Sequence, residues 1–190
     1  MTGFDLVLLL LSFVYALALG HLLTRLGALL IVRERVKFSG LMALAMLNAV
    51  TQVYVGWLAL WDFRGVETWD LYTITLFLIS SLLIFLMCVA ASPDAPAEGP
   101  ADMEAFYRHN YRLFYGLYLG LLGVYIAMSA VYLVTPQPEL FLQQSLGNVP
   151  FILISLLAIL VPARWAQWTA GIGLFVMTAG WAVVFSHTLA

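Results

Sequence analysis

The sequence predicts an all-α protein, a polytopic integral membrane bundle of six transmembrane helices. Of its 190 residues, 64% are hydrophobic and only 9% are charged, whereas a soluble domain carries about 25% charged residues. The mean hydropathy is +1.00. A chain this apolar cannot cover itself with polar surface, so lipid must solvate most of its exterior. Six long apolar runs and a one-sided distribution of cations support the same prediction.

The apolar runs are each long enough for a spanning helix, which needs roughly 20 mostly apolar residues. They are predicted to be helical because open strand edges in hydrocarbon would leave backbone donors unpaired. Prolines and a glycine mark 92–105 as a linker, with Asp102 or a neighbour capping the helix that follows. The predicted helices cover 4–32, 38–61, 71–91, 106–134, 140–161 and 165–186 within one transmembrane domain, 1–190.

The fifth run is the least regular of the six. Gln143, Gln144, Asn148 and Pro150 roughen its first half. Two interpretations fit it: one continuous span, or a short interfacial helix leading into a shorter span.

The cations predict the orientation of the bundle. Six alternating helices place all but one of them on the same side of the membrane, and only Arg64 on the other. Because cytoplasmic loops are enriched in Lys and Arg, the basic side is predicted to be cytoplasmic and both termini non-cytoplasmic. The residues before the first run include no cation, so an uncleaved first helix is expected rather than a signal peptide. The basic side carries Arg25, Arg33, Arg35, Lys37, Arg108, Arg112 and Arg164.

Charge and motifs exclude several classes of function. A net charge of −2 gives no general attraction for nucleic acid. The single cysteine, Cys88, rules out an intrachain disulfide and a multi-thiolate metal site. The chain has neither a G-x-S-x-G nucleophile motif nor an H-E-x-x-H zinc motif, and no pair of acids lies within a span. The expectation is a non-enzymatic protein with no catalytic residue and no bound metal.

Four polar residues inside the first two runs are the candidate ligand site. His21 and Arg25 are spaced i, i+4 and share one face of the first helix. Asn48 and Gln52 have the same spacing on the second helix, and the rise per residue places His21 and Asn48 at similar depth, with His21 near mid-membrane. Intramembrane polar side chains normally face the bundle interior. The residues could line a pocket between helices one and two, or they could hydrogen-bond between helices to fix packing.

The three histidines make haem the one cofactor to consider, because membrane cytochromes of the b type hold haem between two histidines. His109 and His187 are predicted to lie at opposite surfaces, and neither matches the depth of His21. No cofactor is therefore expected within one copy of the chain. Pairing of His21 between two copies remains an alternative.

Small residues form a candidate packing face on the fourth helix. Gly116 and Gly120 form a G-x-x-x-G motif that Gly123 extends, and such a face permits close helix approach. It could serve packing within the chain or an interface between copies. Packing within the chain is the commoner use.

Six segments of the chain, spread over most of its length, carry a resemblance to known proteins: His21–Arg25, Arg33–Gly40, Leu47–Val50, Leu60–Asp62, Trp69–Asp70 and Ala163–Trp168. Together they resemble a group of uncharacterised small bacterial multi-pass membrane proteins. The resemblance implies a multi-pass fold in the bacterial inner membrane and carries no activity.

Two functions from different classes remain at this point. One is a membrane protein with a polar intramembrane pocket that binds or passes a small or lipid-like molecule. The other is a structural or accessory subunit of a larger or homo-oligomeric membrane complex. A haem-binding electron-transfer protein is a third alternative. The expected partners are the lipid bilayer and, for the subunit alternative, copies of this chain or a larger membrane complex.

Overall fold

The computed structural model describes residues 3–65, 69–96, 99–133 and 136–186. Its helices are each long and apolar enough to cross a membrane. The largest departure from the predicted bounds is at the fourth helix, which begins at Met103 and not at 106. The helices are α1 (Gly3–Ile31), α2 (Gly40–Ala59), α3 (Leu71–Ala90), α4 (Met103–Leu133), α5 (Pro138–Leu160) and α6 (Arg164–Ser186).

Side-chain caps fix the first residues of three helices. Ser39 Oγ accepts from the Met42 backbone N–H at the start of α2. Asp70 Oδ1 accepts from Thr73 N–H, 2.7 Å away, at the start of α3. Asp102 caps α4 through Ala105 N–H at 2.9 Å, which confirms the predicted cap. Each cap satisfies one of the backbone donors that a helix start leaves free.

Successive helices run in opposite directions, as contacts at both ends of the bundle show. The Phe4 ring at the start of α1 lies against Trp61 after α2 and Trp69 before α3. At the other end, Lys37 before α2 pairs with Asp102 before α4. All the cations except Arg64 therefore lie at one end, named here the basic end.

Helices that are not neighbours in sequence make much of the packing. α3 lies between α1 and α4, and α2 packs chiefly against α6. The core centres on fully buried side chains such as Leu11, Ile84 and Leu121. α5 packs against α4 and α6, and only Ser155 and Ala158 of it are buried.

A short parallel ladder joins the two halves of the chain at the basic end. Its strands are β1 (Val36–Lys37) and β2 (Ala101–Asp102). Lys37 Nζ donates to Asp102 at 3.2 Å, and Ser39 Oγ donates to Glu104 Oε2 at 2.6 Å. These contacts hold the end of the linker beside the start of α2.

Candidate functional site

The face of α1 that packs into the bundle determines where His21 and Arg25 lie. Leu11, Tyr15, Ala18 and Leu22 are buried at helical spacing along that face. His21 lies at the edge of the face and is half-buried. Its ring centroid is 6.2 Å from that of Phe85 on α3. Arg25 follows one turn later toward the basic end.

The depth of His21 follows from that ring contact. Phe85 lies five residues before the last residue of α3, which is about 7.5 Å from the basic end of that helix. This contact places His21 between the middle and the basic end of α3. Its predicted position near mid-membrane stays a prediction.

A partly open cavity of about 280 Å³ lies beside these two residues. α1 and α4 form its walls, α3 forms its floor, and the start of the linker lies at its basic end. Leu86 and Leu113 are 45% and 55% exposed, so the cavity opens on the membrane-facing side of the bundle. Its polar lining is His21, Arg25, Ser92, Asp94 and Asn110, and this space is named the His21–Arg25 cavity.

An ion pair lies at the basic end of the cavity. Arg25 Nη1 is 2.5 Å from Asp94 Oδ1, with the two side chains 42% and 70% exposed. Asp94 belongs to the linker, four residues past the end of α3. The pair thus connects α1 to a non-helical segment.

Two polar side chains of the lining have unused hydrogen-bonding capacity. In the described part of the chain, His21 makes no hydrogen bond. Asn110 Nδ2 donates to the Phe106 carbonyl of its own helix at 3.1 Å, which leaves its side-chain oxygen available. Ser92, by contrast, donates to the Cys88 carbonyl at 2.6 Å. His21 and Asn110 can therefore offer a donor or acceptor to a ligand.

The structure does not bring Asn48 and Gln52 to this cavity. Asn48 Nδ2 donates to the carbonyls of Leu44 and, on α6, Gly171, at 2.9 and 3.0 Å. Gln52 Nε2 donates to Tyr118 OH on α4 at 3.1 Å and to Thr178 Oγ1 on α6 at 3.2 Å. Both are buried. The predicted four-residue pocket between helices one and two is therefore divided, because α2 turns its polar face toward α4 and α6.

The predicted packing face on α4 is not used for close approach within the described residues. A Cβ added at Gly116 or Gly123 would meet no atom, and one at Gly120 would lie at ordinary contact distance from Leu83. The close approach lies elsewhere: a Cβ at Gly171 would be 2.6 Å from Leu44 Cδ2. That glycine lets α6 approach α2 closely enough to accept the Asn48 hydrogen bond.

Sequence reasoning missed a buried polar side chain with three hydrogen bonds, Gln167 on α6. Gln167 Oε1 accepts from Tyr107 OH at 2.8 Å, and its Nε2 donates to the Ala158 and Val161 carbonyls at 2.8 and 3.1 Å. Pro162 has no N–H, so it cannot serve the carbonyl of Ala158 four residues earlier. Pro162 at the end of an apolar run was the available signal.

The histidines do not come together in the described residues. His109 is exposed at the basic end, apart from the cavity, and His187 lies outside the described residues. Across the described ranges, no group of three or more His, Cys, Asp or Glu side chains could hold a metal ion. The expectation that the chain has no cofactor stays a prediction.

The fold and the cavity together define a class: a six-helix membrane protein with a polar cavity near one end of the bundle. The chain matches no family model, and neither a curated protein nor a solved structure is significantly similar to it. The cavity itself is therefore the feature that bears on function.

Proposed function

We propose that this protein is a non-enzymatic multi-pass membrane protein that binds or passes a small or lipid-like molecule in the His21–Arg25 cavity. The observation that carries the proposal is a partly open cavity where a cation and a histidine without a hydrogen-bond partner in the described chain meet apolar walls. Apolar lining with a few placed polar groups is typical of ligand pockets. Polar residues at membrane depth commonly mark ligand or ion paths.

The orientation belongs to the same proposal. Seven of the eight cations lie at the basic end, and the positive-inside rule makes that end cytoplasmic. The cavity then opens toward the cytoplasmic leaflet, and both termini of the chain are non-cytoplasmic. The resemblance to small bacterial proteins supports the inner membrane as its location.

Native mass spectrometry of protein extracted in mild detergent tests the binding proposal. The wild type should retain a bound small molecule or lipid that survives activation of the micelle. The His21→Leu/Arg25→Leu double variant should lose it because the polar half of the cavity is gone. The matched control is His109→Leu/Arg112→Leu, an exposed His–Arg pair on α4 outside the cavity. Equal retention by all three proteins would contradict the proposal.

The accessory-subunit alternative has its own supporting observation. Gln143 on α5 is exposed and has no hydrogen bond in the described chain, although polar side chains in a membrane normally face protein. Gly116 and Gly123 on α4 are also exposed, with no atom of the described chain packed against them. The same mass spectra test this alternative. A particle of 21.1 kDa plus ligand contradicts it, whereas a multiple of that mass or a second protein supports it.

The cytochrome alternative has a separate test. A haem adduct in the mass spectrum together with a Soret band in the absorbance spectrum would support it.

A further inference from the structure

The Arg25–Asp94 pair suggests what kind of molecule the cavity takes. We propose that the occupant is an anionic amphiphile, a membrane lipid whose phosphate displaces the Asp94 carboxylate from Arg25 while its acyl chain lies on α3. This inference rests on the proposed function and adds the chemistry of the ligand. Asp94 then acts as a removable closure of the cavity.

Arg25 already binds an oxyanion. Its Nη1 contacts one carboxylate oxygen of Asp94, while a guanidinium carries five N–H donors in a fork that suits carboxylate and phosphate. This contact joins one terminal nitrogen of the guanidinium to one carboxylate oxygen. A phosphate in the same place can accept two parallel hydrogen bonds, the stronger arrangement.

Asp94 is held weakly enough to be displaced. Its side chain is 70% exposed and that of Arg25 is 42% exposed, and exposed ion pairs contribute little to stability. Asp94 also lies in the linker rather than in a helix, so its release requires no helix to move.

The walls suit an acyl chain. Leu86 and Val89 of α3 and Leu113 of α4 line the cavity and are 37% to 55% exposed on the membrane-facing side. Leu117 continues the apolar wall away from the basic end. A chain extended from Arg25 would cover these side chains and continue into the bilayer.

The size of the cavity agrees with partial insertion of a lipid. Its volume of about 280 Å³ is near the lower limit of ligand pockets, which span roughly 300–1,000 Å³. It can hold a head group and the first part of a chain. His21 and Asn110 also line the cavity, and we expect them to hydrogen-bond the glycerol and ester oxygens near the phosphate.

Titration with lipids of matched chains tests the inference on the intact protein by native mass spectrometry. The probes are dioleoylphosphatidylglycerol, dioleoylphosphatidylcholine and, without an acyl chain, inorganic phosphate. We expect phosphatidylglycerol to bind more tightly than phosphatidylcholine. In phosphatidylcholine, the cationic choline group would lie near Arg25 and be repelled by it. We expect inorganic phosphate not to compete at equal concentration. If inorganic phosphate displaces phosphatidylglycerol at equal concentration, the acyl chain adds nothing to binding and the proposal of an amphiphilic ligand fails.

Variants of the ion pair should act in opposite directions. Asp94→Asn should raise the affinity for phosphatidylglycerol by about two- to fivefold, the factor that corresponds to one exposed ion pair. Arg25→Gln should lower it to the level of phosphatidylcholine, and Arg112→Gln, the control, should leave it unchanged. Because Asp94 is exposed in a linker, a gain in affinity cannot come from misfolding. An unchanged affinity in Asp94→Asn would overturn the displacement.

The outcomes separate this inference from the proposed function. If both lipids bind equally and both are lost in His21→Leu/Arg25→Leu, the cavity is the site but the ligand is not selected by charge. If that double variant binds like the wild type, both proposals fail.

Discussion

At the scale of single residues, the polar side chains in the bundle fall into two groups. Asn48, Gln52 and Gln167 are buried and hydrogen-bonded to neighbouring helices. His21 has no such bond in the described chain. A satisfied amide fixes packing, since leaving it unpaired in an apolar interior is costly. An unsatisfied polar group beside a cavity is free for a ligand.

Replacing Gln167 tests whether the buried, hydrogen-bonded amides stabilise the packing of the helices. Replacing it by Leu removes the partner of Tyr107 OH and leaves the Ala158 carbonyl unpaired. We expect Gln167→Leu to lower the free energy of unfolding by about 1–2 kcal/mol, near the upper end for hydrogen bonds between membrane helices. Unfolding by sodium dodecyl sulfate in mixed micelles measures this change.

The control for this measurement is Gln143→Leu. Gln143 is the same residue type, exposed on α5 and without a hydrogen bond in the described chain, so its replacement should leave the free energy of unfolding within about 0.5 kcal/mol. Equal destabilisation by the two substitutions would contradict the role assigned to Gln167.

The sequence could predict how deep these residues lie along each helix, but not which helix each one faces. The rise per residue gives depth directly. Pairing His21 with Asn48 assumed that consecutive helices share their polar faces. In the structure, α1 packs chiefly against α3 while Asn48 bonds to α6. That choice depends on tertiary contacts such as the one permitted by Gly171.

At the scale of helices, the predicted spans agree closely with the observed ones because continuous apolar runs are a strong signal. The fifth run is one helix, Pro138–Leu160, with Pro150 inside it. A membrane helix tolerates such a proline when neighbouring groups satisfy the backbone. Its polar first half left open one continuous span or a short interfacial helix before a shorter span, and the structure has one unbroken helix.

The glycines show why a motif alone does not predict a contact. Gly116 and Gly123 match a packing pattern and meet no neighbouring atom of the described chain, whereas Gly171 lies outside that motif and makes a close approach. Spacing places small residues on one face of a helix. It does not determine whether that face turns toward the bundle, so an interface between copies stays a prediction for Gly116, Gly120 and Gly123.

At the scale of the whole molecule, the linker brings the halves together at the basic end. The β1–β2 ladder and the Lys37–Asp102 pair connect the α1–α2 turn to the start of α4. Asp94 lies earlier in the same linker, so the segment that closes the cavity is anchored at its far end. The N–H of Ala105 and the nearby Lys37 hold the pKa of Asp102 below its ordinary value, so this carboxylate stays charged near neutral pH.

Labelling of single cysteines with a membrane-impermeant maleimide tests the proposed orientation. The proposed orientation places the α2–α3 loop outside the cytoplasm, so Gly65→Cys should react on intact cells and Glu34→Cys only after permeabilisation. The native Cys88 is buried and should stay unlabelled in the wild-type control. The reverse pattern would contradict the orientation, and labelling of both positions from one side would contradict the helix alternation.

An experimental structure of the protein extracted together with its native lipids tests directly whether the cavity holds a lipid. We expect density in the His21–Arg25 cavity, with a head group on Arg25, a chain along Leu86 and Val89, and Asp94 turned away. An empty cavity with Arg25 still paired to Asp94, and ordered ligand density at another place on the bundle, would contradict it.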